Sequence, residues 1–155
     1  MLLWKKIICP VDFSDGSLEA LTYATELALH FSSELYLVHV LPTDLETAEW
    51  KGEADAAVER LIYSEAAEKL QKLSEPLGQK GLRTHSVIVP GDPAEQIVSF
   101  AKEEDADLIV IATHGATGWR HLAFGSVTEK VVRLATCLVL TIRMKAVLPA
   151  ADKAA

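Results

Sequence analysis

The sequence is poor in cysteine, in aromatic residues and in net positive charge. Its two cysteines, Cys9 and Cys137, each lie within or beside an apolar run, which favours free thiols over a disulfide bridge. The Cys-x-x-Cys spacing typical of zinc sites is missing. Lysine and arginine number 15 against 22 aspartates and glutamates, which gives a net charge of −7. A phosphate-backbone partner needs clustered basic residues, so this composition argues against nucleic acid.

Long hydrophobic runs are missing as well. No stretch approaches the roughly 18 apolar residues that a membrane-spanning helix requires. The opening residues, MLLWKK, place their lysines after a very short apolar run, which is the reverse of a signal peptide. We therefore expect a soluble, cytoplasmic protein without a membrane partner.

The 155 residues fit one domain, which we place at 1–143, followed by an alanine-rich tail at 144–155 that we expect to fray. Apolar runs predict strands at 6–12, 34–41, 82–89, 106–113 and 138–143. Amphipathic patterns predict helices at 17–31, from 54 to an end or kink at Pro76, at 93–105 with Asp92 as its cap, and at 126–135. This alternation, with strands apolar on both faces, predicts a doubly wound α/β fold with a five-stranded parallel sheet and helices on both faces.

Ligands of doubly wound sheets bind at the carboxyl ends of the strands, where the strand order reverses. Asp12 follows the first predicted strand, Val40 ends the second, 90–92 follows the third and 113–126 follows the fourth. These positions are the candidates for a binding site. His39, inside the second strand, is expected in the core or at an interface.

The longest of these connections reads THGATGWRHLAFGS and lies between a buried strand and a helix. Gly115, Gly118 and Gly125 permit close approach of backbone N–H groups, and the start of a helix favours an anion. Phosphate is one interpretation, with the Ser126 hydroxyl as an added donor. The other is a flexible connection in which Ser126 serves only as the helix N-cap. The connection is neither a Walker A loop, since the lysine is absent, nor a GxGxxG loop.

Nearly the whole chain resembles the universal stress protein family. The resemblance is carried by four stretches: IICPVDFSDGSLEAL, LYLVHVL, GDPAEQIVSFAKEEDADLIVIATHG and GSVTEKVVRLATCLVLTIR. The nucleotide-binding branch of that family is marked by Gly-x2-Gly-x9-Gly-Ser/Thr. Here Gly115 is the second glycine and Gly125 with Ser126 completes the motif, whereas Ala112 stands at the first position.

This resemblance implies a Rossmann-like fold of the adenine nucleotide alpha hydrolase type, with strand order 3-2-1-4-5. It also implies ATP, ADP or AMP between strands one and four, Mg²⁺ or Mn²⁺ bridging the phosphates, and a homodimer, which we expect to pair through residues 138–143. The residues then expected at the nucleotide are Pro10, Val11, Asp12, Val40, Ala112, Thr113, His114, Gly115, Gly118, Gly125, Ser126 and Val127.

Two functional classes remain open. One is a binding module that senses nucleotide in the stress response, and the other is a slow ATP hydrolase that uses His114 or a metal-bound water as its base. A Ser-His-Asp hydrolase built from Asp12, His114 and Ser126 is disfavoured, because the GxSxG nucleophile elbow is missing. No catalytic residue is assigned.

Overall fold

A computed structural model describes residues 3–43, 53–114 and 124–144 of the chain. The predicted tail, apart from Met144, lies outside these residues. The strands are β1 (Lys6–Pro10), β2 (Glu34–Leu41), β3 (Thr84–Pro90), β4 (Leu108–Ala112) and β5 (Leu138–Ile142). The helices are α1 (Asp15–Phe31), α2 (Glu53–Gln79), α3 (Pro93–Glu103) and α4 (Ser126–Leu134). Within the described ranges, no helix is long and apolar enough to cross a membrane.

The five strands form one parallel sheet with the order β3-β2-β1-β4-β5. In its register, Ile8 lies between Tyr36 on β2 and Ile109 on β4. The fold class and the strand order expected from the sequence are therefore confirmed. The order reverses at β1 and β4, which start connections to opposite sides of the sheet.

Each face of the sheet buries its own hydrophobic cluster. Ile7, Leu37 and Val110 point to one side, where they pack with side chains of α1 and α2. Ile8 follows Ile7 in the sequence and Ile109 precedes Val110. Both point to the other side of the sheet and pack with α3 and α4. Because successive strand residues face opposite sides, continuous apolar runs are what a sheet covered on both faces requires.

Three helix ends can be compared with the capping residues and the proline that predicted them. The side chain of Asp92 accepts a hydrogen bond from the Glu95 amide at 3.0 Å, so its predicted role as the cap of α3 is confirmed. Helix α1 begins at Asp15, two residues earlier than predicted, because Ser14 is its N-cap. The sequence predicts an end or a kink of α2 at Pro76; the helix does not end there but continues to Gln79, with Pro76 inside it. A proline removes one amide donor, and three further residues still complete the last turn.

Candidate functional site

A cavity of about 350 Å³ opens at the carboxyl edge of the sheet, where the strand order reverses. Its volume is within the range of small-molecule sites. The lining residues come from β1 and the turn after it, the first turn of α1, the end of β2, the first two turns of α3, the end of β4 and the start of α4. They are Pro10, Val11, Asp12, Ser17, Val38, His39, Val40, Pro42, Pro93, Ile97, Ile111, Ala112, His114, Gly125, Ser126, Val127 and Thr128.

One part of the cavity is an apolar slot, formed by Val40, Pro42, Pro93, Ile97 and Val127. Val40, Ile97 and Val127 belong to or pack against the hydrophobic cluster on the face of the sheet that α3 and α4 cover. Pro93 enters the lining because Asp92 caps α3 and fixes where that helix begins. The lining of the slot is apolar, as is usual for the part of a ligand site that packs against an apolar group.

The turn after β1 forms a second part of the wall. The carboxylate of Asp12 accepts hydrogen bonds from both the amide and the hydroxyl of Ser14, with the amide nitrogen at 3.0 Å. Ser14 in turn accepts from the Ser17 amide as the cap of α1. Asp12 is exposed, so its carboxylate both orders this turn and borders the cavity.

The third part is the start of α4. Gly125 is the N-cap, with an extended backbone and no side chain to bond the first amides of the helix. Ser126 is the first helical residue, so the interpretation of Ser126 as the N-cap is wrong. The Gly125 amide donates to the Thr113 carbonyl at 2.6 Å, which holds Gly125 in position one residue ahead of the serine. The amino end of α4 thus faces the cavity without a capping side chain from the described part of the chain.

The end of β4 is held from two sides. The Thr113 amide donates to the Ile142 carbonyl on β5 at 2.9 Å, and the Thr128 hydroxyl donates to the Ala112 carbonyl at 2.6 Å. His114 follows, half-buried, with its Nδ1 at 3.1 Å from the Thr113 hydroxyl oxygen. These bonds fix the backbone that leads from the sheet into the cavity wall.

Lys130 on α4 forms ion pairs with two carboxylates at the start of α3. Its ammonium lies 2.9 Å from a Glu95 carboxylate oxygen and 3.2 Å from one of Asp92. The bonds to Glu95 and then to Asp92 raise the pKa of Lys130. The Glu95 amide, followed by Lys130, lowers the pKa of Asp92. The ion pairs therefore tie α4 to the start of α3, and both helices contribute residues to the cavity lining.

Most residues predicted at the site line one cavity: Pro10, Val11, Asp12, Val40, Ala112, His114, Gly125, Ser126 and Val127. Thr113 is buried beside the cavity and supports it through its backbone. Gly115 and Gly118 lie outside the described residues. The alanine at the first motif position, Ala112, is among the lining residues.

Sequence reasoning missed several lining residues, among them Ser17, His39, Pro42 and Ile97. His39 was assigned to the core or an interface, but it is half-buried at the cavity. Pro42 directly follows β2 and could have been found by extending the strand-end rule by two residues. Ile97 had no such signal, because its helical pattern fits the core equally well.

Comparison with known proteins agrees with this architecture. A sequence model of the universal stress protein family matches residues 3–143. Universal stress protein MJ0531 of Methanocaldococcus jannaschii is 36% identical over 141 residues, which cover 91% of this chain and 83% of that protein. The solved structure of MJ0577 from the same organism has a TM-score of 0.83 and 30% identity, and covers 93% of this chain and 99% of that chain.

A further solved structure is that of the universal stress protein from Archaeoglobus fulgidus in complex with dAMP. It has a TM-score of 0.64 and 28% identity, and covers 91% of this chain and 99% of that chain. The family match spans all nine helices and strands of the described structure. This chain belongs to the universal stress protein family.

Proposed function

We propose that the chain is an adenine-nucleotide-binding module of the stress response, with ATP as its ligand, whose occupancy alters association with partners. The observation that carries the proposal is the cavity itself, which joins an apolar slot to a helix start whose N-cap is a glycine without a side chain to bond the first amides. A purine ring suits the first and phosphate groups suit the second. The dAMP complex of the Archaeoglobus fulgidus protein supports an adenine nucleotide.

The phosphate end of the proposal rests on Gly125, Ser126 and Val127. The first amides of a helix have no partner within the helix, and the helix dipole adds positive potential at this end. Gly125 contributes no side-chain bond to them. A phosphate placed there receives backbone hydrogen bonds, and the Ser126 hydroxyl is a further donor. This interaction needs no lysine, in agreement with the acidic composition.

Mg²⁺ or Mn²⁺ enters the proposal as a bridge between phosphate oxygens. Across 3–43, 53–114 and 124–144, no three His, Cys, Asp or Glu side chains come together to hold a metal ion. Phosphates and water then supply most of the ligands, which is usual for Mg²⁺ at nucleotides.

We further propose a homodimer that pairs through residues 138–143. β5 is an edge strand, and Leu138 and Leu140 remain 54% and 39% exposed. An apolar edge with open backbone groups is normally paired or covered. A second copy of the same strand satisfies both the backbone and the leucines.

The test of binding is to identify the nucleotide released when the purified protein is denatured. We expect ATP, ADP or AMP, and we expect the emptied protein to bind ATP in a calorimeter more tightly than GTP. Absence of any co-purified adenine nucleotide, together with no measurable binding of ATP, ADP or AMP, contradicts the proposal.

Phosphate release from ATP separates the binding module from the hydrolase. A binding module shows no release above the uncatalysed background, and His114→Ala leaves its ATP affinity nearly unchanged. For a hydrolase that uses His114, the same variant lowers the rate at least about tenfold, or roughly 1.4 kcal/mol of barrier. Release that persists in His114→Ala but needs a divalent ion indicates the metal-bound water instead.

A further inference from the structure

The backbone ladder between β1 and β2 stops at the cavity. Its pairing ends with Pro10 opposite Val38, and one more bond joins the Val11 amide to the Val38 carbonyl at 2.8 Å. In a parallel ladder, the next bond would run from the Val40 amide to the Val11 carbonyl, because alternate residues face the same neighbouring strand. That bond is not formed among the backbone bonds of the described residues.

The orientation of Val40 follows from its neighbours on β2. Leu41 turns its carbonyl to the β3 side, where it accepts the Gly91 amide at 2.9 Å. Val38 turns its carbonyl to the opposite side, where it accepts the Val11 amide. Val40 shares the orientation of Val38, so its N–H and C=O face the region beyond the end of β1, where Val40 lines the cavity.

The side chain of His39 bonds the Val11 carbonyl in place of the Val40 amide. Its Nδ1 lies 2.7 Å from the Val11 carbonyl oxygen. A carbonyl oxygen only accepts hydrogen bonds, so Nδ1 carries the proton and donates it to Val11. In this arrangement the Val11 carbonyl accepts the side chain of residue 39 and not the amide of residue 40.

The ring of Phe13 packs against the imidazole of His39. Its ring centroid lies 4.7 Å from that of His39, with 40° between the ring planes. Phe13 has a φ of 64°, in the left-handed region that bulky residues rarely adopt. The chain therefore turns into the cap of α1 at this point, while its ring holds the imidazole beside Val11.

We propose that His39 is a positioning residue of the nucleotide site, which keeps the peptide edge of Val40 open by bonding the Val11 carbonyl. An open edge offers a donor and an acceptor side by side, and adenine offers the complementary acceptor N1 and amino group N6. The consequence for base recognition rests on the proposed function. The bond from His39 to the Val11 carbonyl, in place of one from the Val40 amide, does not depend on the proposed function.

Amide hydrogen exchange of the nucleotide-free protein tests directly whether the Val40 amide lacks a backbone hydrogen bond. We expect the Val40 amide to exchange at least about tenfold faster than the ladder-bonded Val38 amide, since protection follows hydrogen bonding. In His39→Leu, the freed Val11 carbonyl accepts the Val40 amide, so exchange at Val40 slows at least about tenfold. In His39→Asn, the side-chain amide supplies a donor and Val40 remains fast. A parent protein in which Val40 is protected as well as Val38 overturns the inference without any variant.

Binding of AMP tests the consequence for the ligand. His39→Leu should weaken AMP binding about tenfold, the usual effect of one lost hydrogen bond, and His39→Asn should restore it to within about threefold of the parent. Ribose 5-phosphate lacks the base and should bind parent and variants alike. Equal AMP affinity in the parent and His39→Leu overturns the role in base recognition. A parent that binds no AMP refutes the proposed function, while amide exchange still decides the role of His39.

Discussion

The carbonyl oxygen of His114 lies 2.7 Å from the point where a Cβ atom on Gly16 would stand. Gly16 is buried in the first turn of α1, and His114 follows β4, so the two elements meet backbone to backbone beside the cavity. No ordinary Cβ contact is so short, and a carbonyl of the main chain cannot swing aside as a side chain does. The glycine is therefore required by the approach of the two elements.

We predict that Gly16→Ala destabilises the fold by roughly 1–3 kcal/mol, the usual cost of an overpacked site. The displaced His114 backbone should also weaken ATP binding. Urea unfolding and calorimetry measure the two effects. Gly78→Ala is the matched control, because it lies in α2 with open space around it and should gain about 0.5–1 kcal/mol from helix propensity. A stabilised Gly16→Ala contradicts the packing argument.

We predict that Gly125→Ala combined with Ser126→Ala costs on the order of 2–4 kcal/mol of ATP affinity, from crowding and lost charge-assisted hydrogen bonds. Stability should fall by only about 1 kcal/mol or less, because the residue at the N-cap is already a glycine without a capping side chain. The added Cβ lies 3.3 Å from the Thr113 carbonyl oxygen, which a small shift accommodates. Calorimetry that finds unchanged ATP affinity in the double variant refutes the phosphate site.

Thr141→Pro should shift the protein from dimer towards monomer. The Ile142 carbonyl bonds β4, so the amide of the preceding residue faces the open edge of the sheet, where proline is tolerated. The substitution removes one donor from the proposed interface and none from β4. Light scattering measures the outcome, and Thr141→Val, which keeps the amide, is the control. A parent protein that is already monomeric disproves the pairing.

Asp92→Asn should destabilise the protein at neutral pH and lose this effect in acid. Asparagine keeps the cap of α3 but removes the charge that pairs with Lys130. Because the folded-state pKa of Asp92 is lowered, its charge stabilises the fold above the ordinary value of about 3.9, and this contribution disappears as the pH falls through the folded-state pKa. Melting temperatures of the parent and of Asp92→Asn, from neutral pH to below the folded-state pKa of Asp92, measure the difference in stability. A difference that does not change with pH excludes the ionic contribution.

Strand positions and the sheet edge that carries the site were predictable because they depend on local periodicity and on one topological rule. The cap of α4 was not. A glycine-serine pair favours the serine as the cap, yet Gly125 is the cap, and its amide bonds the Thr113 carbonyl. That bond joins residues on either side of a long connection, and no local pattern reports it.

The position of His39 shows a second limit. Its place in the strand indicates only which side of the sheet the side chain faces. Whether that side is core or cavity depends on where the neighbouring strand ends, which is set by the turn at Phe13. The sequence carries both features, but nothing in their spacing along the chain couples them.

The two hydrophobic clusters lie on opposite faces of the sheet and contribute unequally to the apolar slot. The apolar slot draws on Val40, Pro93, Ile97 and Val127, which belong to or border the α3 and α4 layer. An occupant of the slot would therefore contact that layer directly, whereas α2 packs on the opposite face of the sheet and none of the lining residues belongs to it. Under the proposed function, nucleotide binding would therefore stabilise α3 and α4 directly, and the outer surfaces of these helices are where a partner would detect it.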